Sequence, residues 1–190
     1  MKLGITNKSG VKGSVQRVLV DKNGVRKAMF ADNWLWKLIK KNFNLDIQIP
    51  FITGNWTINP IKDNLVTTVG KKAVADQLGG TTTAPMTCVA IGIGTDAAAA
   101  ADTTLGSEIA TNGGERGAAT VSNQTTTSAG DTERWIKTFT FTGSFAVTEE
   151  GILDNNTAGG VLLARQVFSA VNVVSGDSLQ ITHNVQVTTA

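Results

Sequence analysis

Between Ser178 and Thr188 apolar and polar side chains alternate without a break. Leu179, Ile181, His183, Val185 and Val187 fall on one side, and Gln180, Thr182, Asn184 and Gln186 on the other. A period of two over that length specifies a strand with one buried face. Such a face must be covered by a second layer, which limits the chain to sheet-on-sheet or helix-on-sheet arrangements. The same pattern recurs upstream, where Trp135, Phe139 and Phe141 alternate with Ile136, Thr138 and Thr140. Residues 118–127 and 133–142 are expected to pair across the turn 128–131, and further strands are expected over 86–93, 147–153 and 161–168.

The first part of the chain carries other signals. Asp21 to Gly24 contains an Asn-Gly pair between VQRVLV and VRKAMF, which marks a hairpin because Asn-Gly supplies the positive φ values of a tight turn. Asn33 can cap a two-turn helix over Trp34 to Lys41. A second helix is expected from Asp63 or Asn64 through Leu78, stopped by Gly79 and Gly80. Leu105 to Ala110 allows one helical turn, and residues 1–13, with three glycines and three lysines, suit an arm. The resulting expectation is a mainly β chain: an antiparallel, jelly-roll-like β-sandwich over 63–190 with one or two short helices, preceded by a basic extension over 1–62.

Charge divides along the same line. Residues 1–72 hold 13 Lys or Arg against 4 Asp or Glu, and residues 73–190 hold 4 against 11. A basic front joined to an acidic back fits attachment to an acidic partner surface or to the acidic half of a neighbouring copy, or two ordinary solvated faces. The basic residues are dispersed and accompany no nucleic-acid motif, so no nucleic acid is expected as a partner. Three of the four tryptophans lie between Trp34 and Trp56. Trp34, Trp36, Lys37, Lys40, Lys41, Phe51 and Trp56 are therefore the candidate partner-binding residues, the alternative being that the aromatics fill the domain's own core. No apolar run reaches about 18 residues, and Met1 is not followed by a signal-like stretch, so neither a membrane span nor a secretory leader is expected.

Groups able to do chemistry are sparse. His183 is the single histidine and sits on an apolar strand face, where a satisfied core residue is expected rather than a ligand or base. Cys88 lies in the apolar run CVAIGI and reads as a small buried filler. Glu149 and Glu150 are adjacent, so a strand would point them to opposite faces, with charge at a strand edge the ordinary reading. Gly92 and Gly94 suggest a phosphate loop only until the third glycine position, which is Ala97, so they are expected to end a strand. No catalytic residues, metal ligands or cofactor are assigned, and the chain reads as non-enzymatic.

Four phrases occur in order: NLVTTVG (64–70), AIGIGT (90–95), FAVTEEGILD (145–154) and LLARQVFSAVNVVSGDSLQIT (162–182). With the turn at Asp21 to Gly24 and the segment IPFITGNW (49–56), they resemble a family of tailed-bacteriophage virion structural proteins. The resemblance implies a β-rich, homo-oligomeric, trimeric protein on the exterior of a virion and made in the host bacterial cytoplasm. Its implied partners are the major capsid protein or other virion proteins. Within that class the basic extension favours a capsid cement or decoration protein gripping the shell, over a tail-fibre or baseplate appendage. A host-receptor or carbohydrate-binding module is the rival from another class.

Overall fold

The structure, a computed structural model, describes residues 10–33, 54–58, 60–81, 84–157 and 159–188. The expected helix over Trp34 to Lys41 lies outside the described residues. The remainder forms the mainly β, antiparallel sandwich that the alternating patterns require.

One sheet is built around β1 (Gly10–Val20) and β13 (Ser178–Thr188), which pair antiparallel from Gly10 opposite Thr188 to Val20 opposite Ser178. On the far side of β13 lie β10 (Thr132–Thr140) and then β9 (Thr120–Gln124). On the far side of β1 lie two short strands, β2 (Arg26–Lys27) and β5 (Ile61–Asp63). The second sheet runs in the order β6 (Leu65–Val66), β12 (Leu162–Val173), β11 (Phe145–Leu153), β7 (Cys88–Gly92), β8 (Gly117–Ala118). A separate two-stranded ribbon joins β3 (Met29–Asp32) to β4 (Gly54–Thr57).

The two sheets close on one core. Val15, Leu19, Trp135, Phe139, Leu179 and Ile181 from the first meet Val89, Ile91, Val147, Ile152, Phe168 and Val171 from the second. The Trp135 indole N–H would be costly to bury unpaired, and it donates to the Met86 carbonyl at 2.7 Å. The outer side of the second sheet is covered as well, because the segment after β7 folds back over it. There Leu105 joins Ala90, Leu153 and Leu162 in a smaller apolar cluster.

The single described helix, α1 (Thr68–Leu78), packs on β12. It starts later than the sequence suggests. Asn64 is drawn into the sandwich, Leu65 and Val66 become β6, and Thr67 caps instead, accepting from the Gly70 amide at 2.9 Å and donating to the Leu162 carbonyl at 2.5 Å. Gly70 is required by proximity: a Cβ there would lie 2.2 Å from the Leu163 carbonyl oxygen. The helical turn expected at 105–110 is absent; Glu108 makes a bridge to Gly92 instead.

The hairpin at Asp21 to Gly24 forms as expected. The Asp21 carboxylate accepts from the amides of Asn23 and Val25, and Gly24 takes φ of 81°. So does the hairpin between β9 and β10, where Asp131 gathers the amides of Thr126, Thr127 and Ser128.

The boundary at residue 62 requires correction. Residues 10–13, placed in an arm, belong to β1, and β1 lies inside the first sheet with Val15 and Leu19 in the common core. Residues 10–20 at least are therefore not part of a detachable extension. Removing residues 1–20 opens the whole edge of β13 and strips one wall of the core. Such a truncation is expected to give an insoluble or molten chain, measured by recovery in the soluble fraction and near-ultraviolet circular dichroism; a soluble, cooperatively unfolding product would show that β1 is dispensable.

Candidate functional site

Of the seven candidate partner-binding residues, Trp34, Trp36, Lys37, Lys40, Lys41 and Phe51 lie outside the described residues. Trp56 stands on β4, opposite Phe30 of β3, with ring centroids 5.5 Å apart in an edge-to-face arrangement. Phe30 is buried beneath it, while Trp56 remains 56% exposed. Two further apolar side chains follow close in sequence, Ile58 at 49% and Ile61 at 66% exposure. An indole fixed from below and open above can bury apolar area in a partner at little entropic cost.

The titratable groups are organised quite differently. Glu149 and Glu150 do point to opposite faces of β11, but neither is at an edge. β11 is flanked by β12 and β7, and both carboxylates are fully buried. The edge reading fails because the second sheet is covered on both sides, so a central strand has no solvated face.

Glu149 points outward from the sandwich, under the segment that follows β7. It accepts from the backbone amides of Gly94 at 2.9 Å, Gly106 at 2.9 Å and Ser107 at 2.7 Å. Arg165 of β12 completes the shell, with Nε at 2.8 Å and Nη2 at 2.7 Å from Oε2. The same guanidinium reaches Asp102 at 2.8 Å and the Asp96 carbonyl at 3.2 Å. Burial by itself would push the Glu149 carboxyl up, but the Ser107 and Gly106 amides and Arg165 outweigh it and hold the group below the ordinary carboxylate range. Burial likewise opposes the charge on Arg165, yet Asp102 and Glu149 raise its affinity for the proton. Gly92 and Gly94 do end a strand and turn the chain, and their lack of a Cβ leaves room for this carboxylate. A Cβ at either position would sit 2.4 or 2.5 Å from Glu149 Oε1.

Glu150 points inward, between the sheets. His183 Nδ1–H donates to its Oε2 at 2.9 Å, and the Asn64 amide closes on His183 Nε2 from the other side. Arg17 lies in the same layer, donating to Gln166 Oε1 at 3.1 Å and stacking over Phe168 at 4.1 Å. Burial pulls its guanidinium down to about 10 while Glu150 draws it back up, so it stays cationic at neutral pH. His183 is thus a core residue held on both ring nitrogens, and it is closed to solvent. A carboxylate and imidazole at hydrogen-bond distance could exchange a proton, but no substrate can reach this pair without separating the sheets.

The sequence did hold a signal for this network. Both FAVTEEGILD and LLARQVF are apolar runs of the kind that mark strands buried on both faces, and their charges are complementary. Cys88 is buried, as expected. Among the described residues no group of His, Cys, Asp and Glu is arranged to hold a metal ion, and no helix is long and apolar enough to cross a membrane. No protein-family model, curated protein or solved structure matches the chain.

Removing one member of a buried ion pair leaves the other uncompensated, which costs about 3–5 kcal/mol. Glu149→Gln is expected to lower stability by that order at neutral pH, read from urea unfolding. Because the folded-state affinity of Glu149 for a proton is depressed, its contribution is complete above the ordinary carboxylate range and is lost as pH falls through the lower, folded value. Wild-type stability should therefore fall more steeply below about pH 4 than that of Glu149→Gln; parallel acid profiles would count against the assignment. His183→Val should cost a similar amount by stranding Glu150. The double variant His183→Val with Glu150→Gln should cost less than the sum of the two singles, and additive losses would mean that the pair is not coupled.

Proposed function

We propose that this chain is a non-enzymatic structural protein of a tailed-phage particle, and within that class a capsid cement or decoration protein. The four ordered phrases motivate the class. The observation that carries an assembly role is Trp56, held by Phe30 on a ribbon outside both sheets and more than half exposed, with Ile58 and Ile61 following it in sequence.

The interior supports the same reading. Glu149, Glu150 and His183, the groups best suited to acid–base work, are buried, Glu149 held by backbone amides and Arg165, and Glu150 paired with His183. What the outer surface offers a partner is apolar area, hydrogen-bonding groups and charge, the materials of an interface. Apolar burial at about 25 cal/mol per Å² would supply most of the affinity, with charge governing encounter and register. In this proposal the shell contact is made by the ribbon face that carries Trp56, not by a free N-terminal arm, since β1 is committed to the sheet. The partner is the major capsid protein or another virion protein, and the chain acts as a homo-oligomer on the particle exterior.

Two measurements test this. Densitometry of purified particles should give a ratio to the major capsid protein of one to one or one to a few, as shell symmetry demands. A ratio of one to tens would favour a tail-fibre or baseplate part. Re-addition to particles lacking the protein should be weakened about tenfold or more by Trp56→Ala, the scale of a central aromatic anchor. Undiminished attachment of a folded Trp56→Ala protein would remove the ribbon from the contact.

A further inference from the structure

The outer face of the first sheet holds a polar cleft of about 290 Å³, lined by Lys12, Gly13, Ser14, Asp63, Thr126, Thr132, Arg134, Asn184 and Gln186. Its floor is two cross-strand rows. In one, Asp63 lies opposite Ser14, Ser14 opposite Asn184, and Asn184 opposite Arg134; in the other, Lys12 lies opposite Gln186 and Gln186 opposite Thr132. Strands about 4.8 Å apart set these groups at regular intervals.

Two of these groups are cations without an acidic partner among the described residues. Arg134 spends Nε on Asn184 Oδ1 at 2.9 Å, which fixes the guanidinium plane and leaves both terminal nitrogens unengaged. Lys12 is exposed and makes no ion pair among the described residues, although Asp63 lines the same cleft. The Asn184 amide nitrogen is also uncommitted among the described residues. By contrast, the Gln186 amide nitrogen is committed, donating to Thr127 at 2.9 Å and Asp131 at 2.8 Å, and so holds the 126–131 turn as one wall. The Asp131 carboxyl is held well below the ordinary range, chiefly by that Gln186 bond and the Ser128 amide.

We propose that this cleft binds an acidic saccharide unit, a pyranose bearing a carboxylate. Arg134 presents a planar fork that matches a carboxylate, and Lys12 adds charge from the opposite wall. Asp63 and Ser14 accept and donate to ring hydroxyls at the other end, and Asn184 donates between them. A bare inorganic anion would make no use of Asp63, which repels it; a neutral sugar would leave the guanidinium unmatched. The site is independent of the Trp56 ribbon and does not rest on the virion assignment.

The test is a titration of the full chain, labelled with nitrogen-15, with sodium glucuronate, glucose and sodium acetate in turn, reading amide shifts of residues 12–14, 63, 132–134 and 184–186. Glucuronate is expected to shift these amides and saturate. Glucose and acetate, each lacking half of the recognised chemistry, should bind about tenfold more weakly, the loss of one charge-assisted hydrogen-bond set. Arg134→Ala should weaken glucuronate by a similar factor. Lys12→Ala, at an exposed position that leaves the fold intact, should weaken it by a smaller one. Absence of shifts with glucuronate overturns the site, acetate binding as tightly as glucuronate overturns the saccharide assignment, and unchanged affinity in a folded Arg134→Ala protein overturns the role of the guanidinium.

Discussion

A carboxylate with no access to water needs several hydrogen-bond donors at once, and Glu149 obtains them from three separate parts of the chain. Gly94 comes from the end of β7, Gly106 and Ser107 from the covering segment, and Arg165 from β12. Each donor is anchored by the same oxygen atoms, so the covering segment cannot lift without stranding a buried charge. This is how a stretch of alanines, threonines and glycines, with little apolar content beyond Leu105 and Ile109, stays closed over the sheet. Asp102 extends the hold, since its contact with Arg165 and its bond from the Ala99 amide fasten the middle of the segment. Burial would raise the Asp102 carboxyl, but the Ala99 amide and Arg165 prevail and keep it below the usual range.

The four phrases NLVTTVG, AIGIGT, FAVTEEGILD and LLARQVFSAVNVVSGDSLQIT meet around β11 and β12. NLVTTVG supplies Thr67, bonded to Leu162, and Gly70, laid against Leu163. AIGIGT supplies the two glycines that admit Glu149. FAVTEEGILD supplies both buried glutamates, and LLARQVF supplies Arg165 and Gln166. Each phrase is thus one part of a single packed arrangement. The exposed groups, Trp56 and the cleft around Arg134, lie outside all four phrases, with Asp63 just before the first and Asn184 just beyond the last. On this view the phrases encode a scaffold, and specificity is written on the surface between them.

Period two made β13 and β10 legible from sequence alone, because each has one buried and one solvated face. The hairpin at Asp21 to Gly24 and the turn before β10 were legible because Asn-Gly and Gly-Asp turns have few alternatives. β1 was harder. Its inward residues include Arg17, which breaks an apolar pattern, and its pairing partner lies at the opposite end of the chain, so no local signal announces that residues 10–20 belong to the sandwich. α1 was displaced at its start because Asn64, a good cap in isolation, is worth more against His183 in the core. The burial of Glu149 and Glu150 was hidden for a related reason: adjacency on a strand gives their directions, but whether each direction leads to water depends on what covers the sheet.

Two identical residues side by side would seem to allow β11 to slip by one position, since a carboxylate would face each way in either register. The neighbours forbid it. Slipping one way brings Thr148 to the place of Glu149 and leaves Arg165 without its buried carboxylate. Slipping the other way brings Gly151 to the place of Glu150, strands His183 and turns Ile152 out of the core. Either error costs an uncompensated buried polar or charged group, several kcal/mol beyond the lost packing. The irregularity between Val147 and Glu149 in the pairing with β12 adds a further mark of register, with the Thr148 hydroxyl donating to the Gly94 carbonyl at 2.8 Å. The buried charges thus specify one alignment of a sheet whose apolar strands could otherwise pair in several.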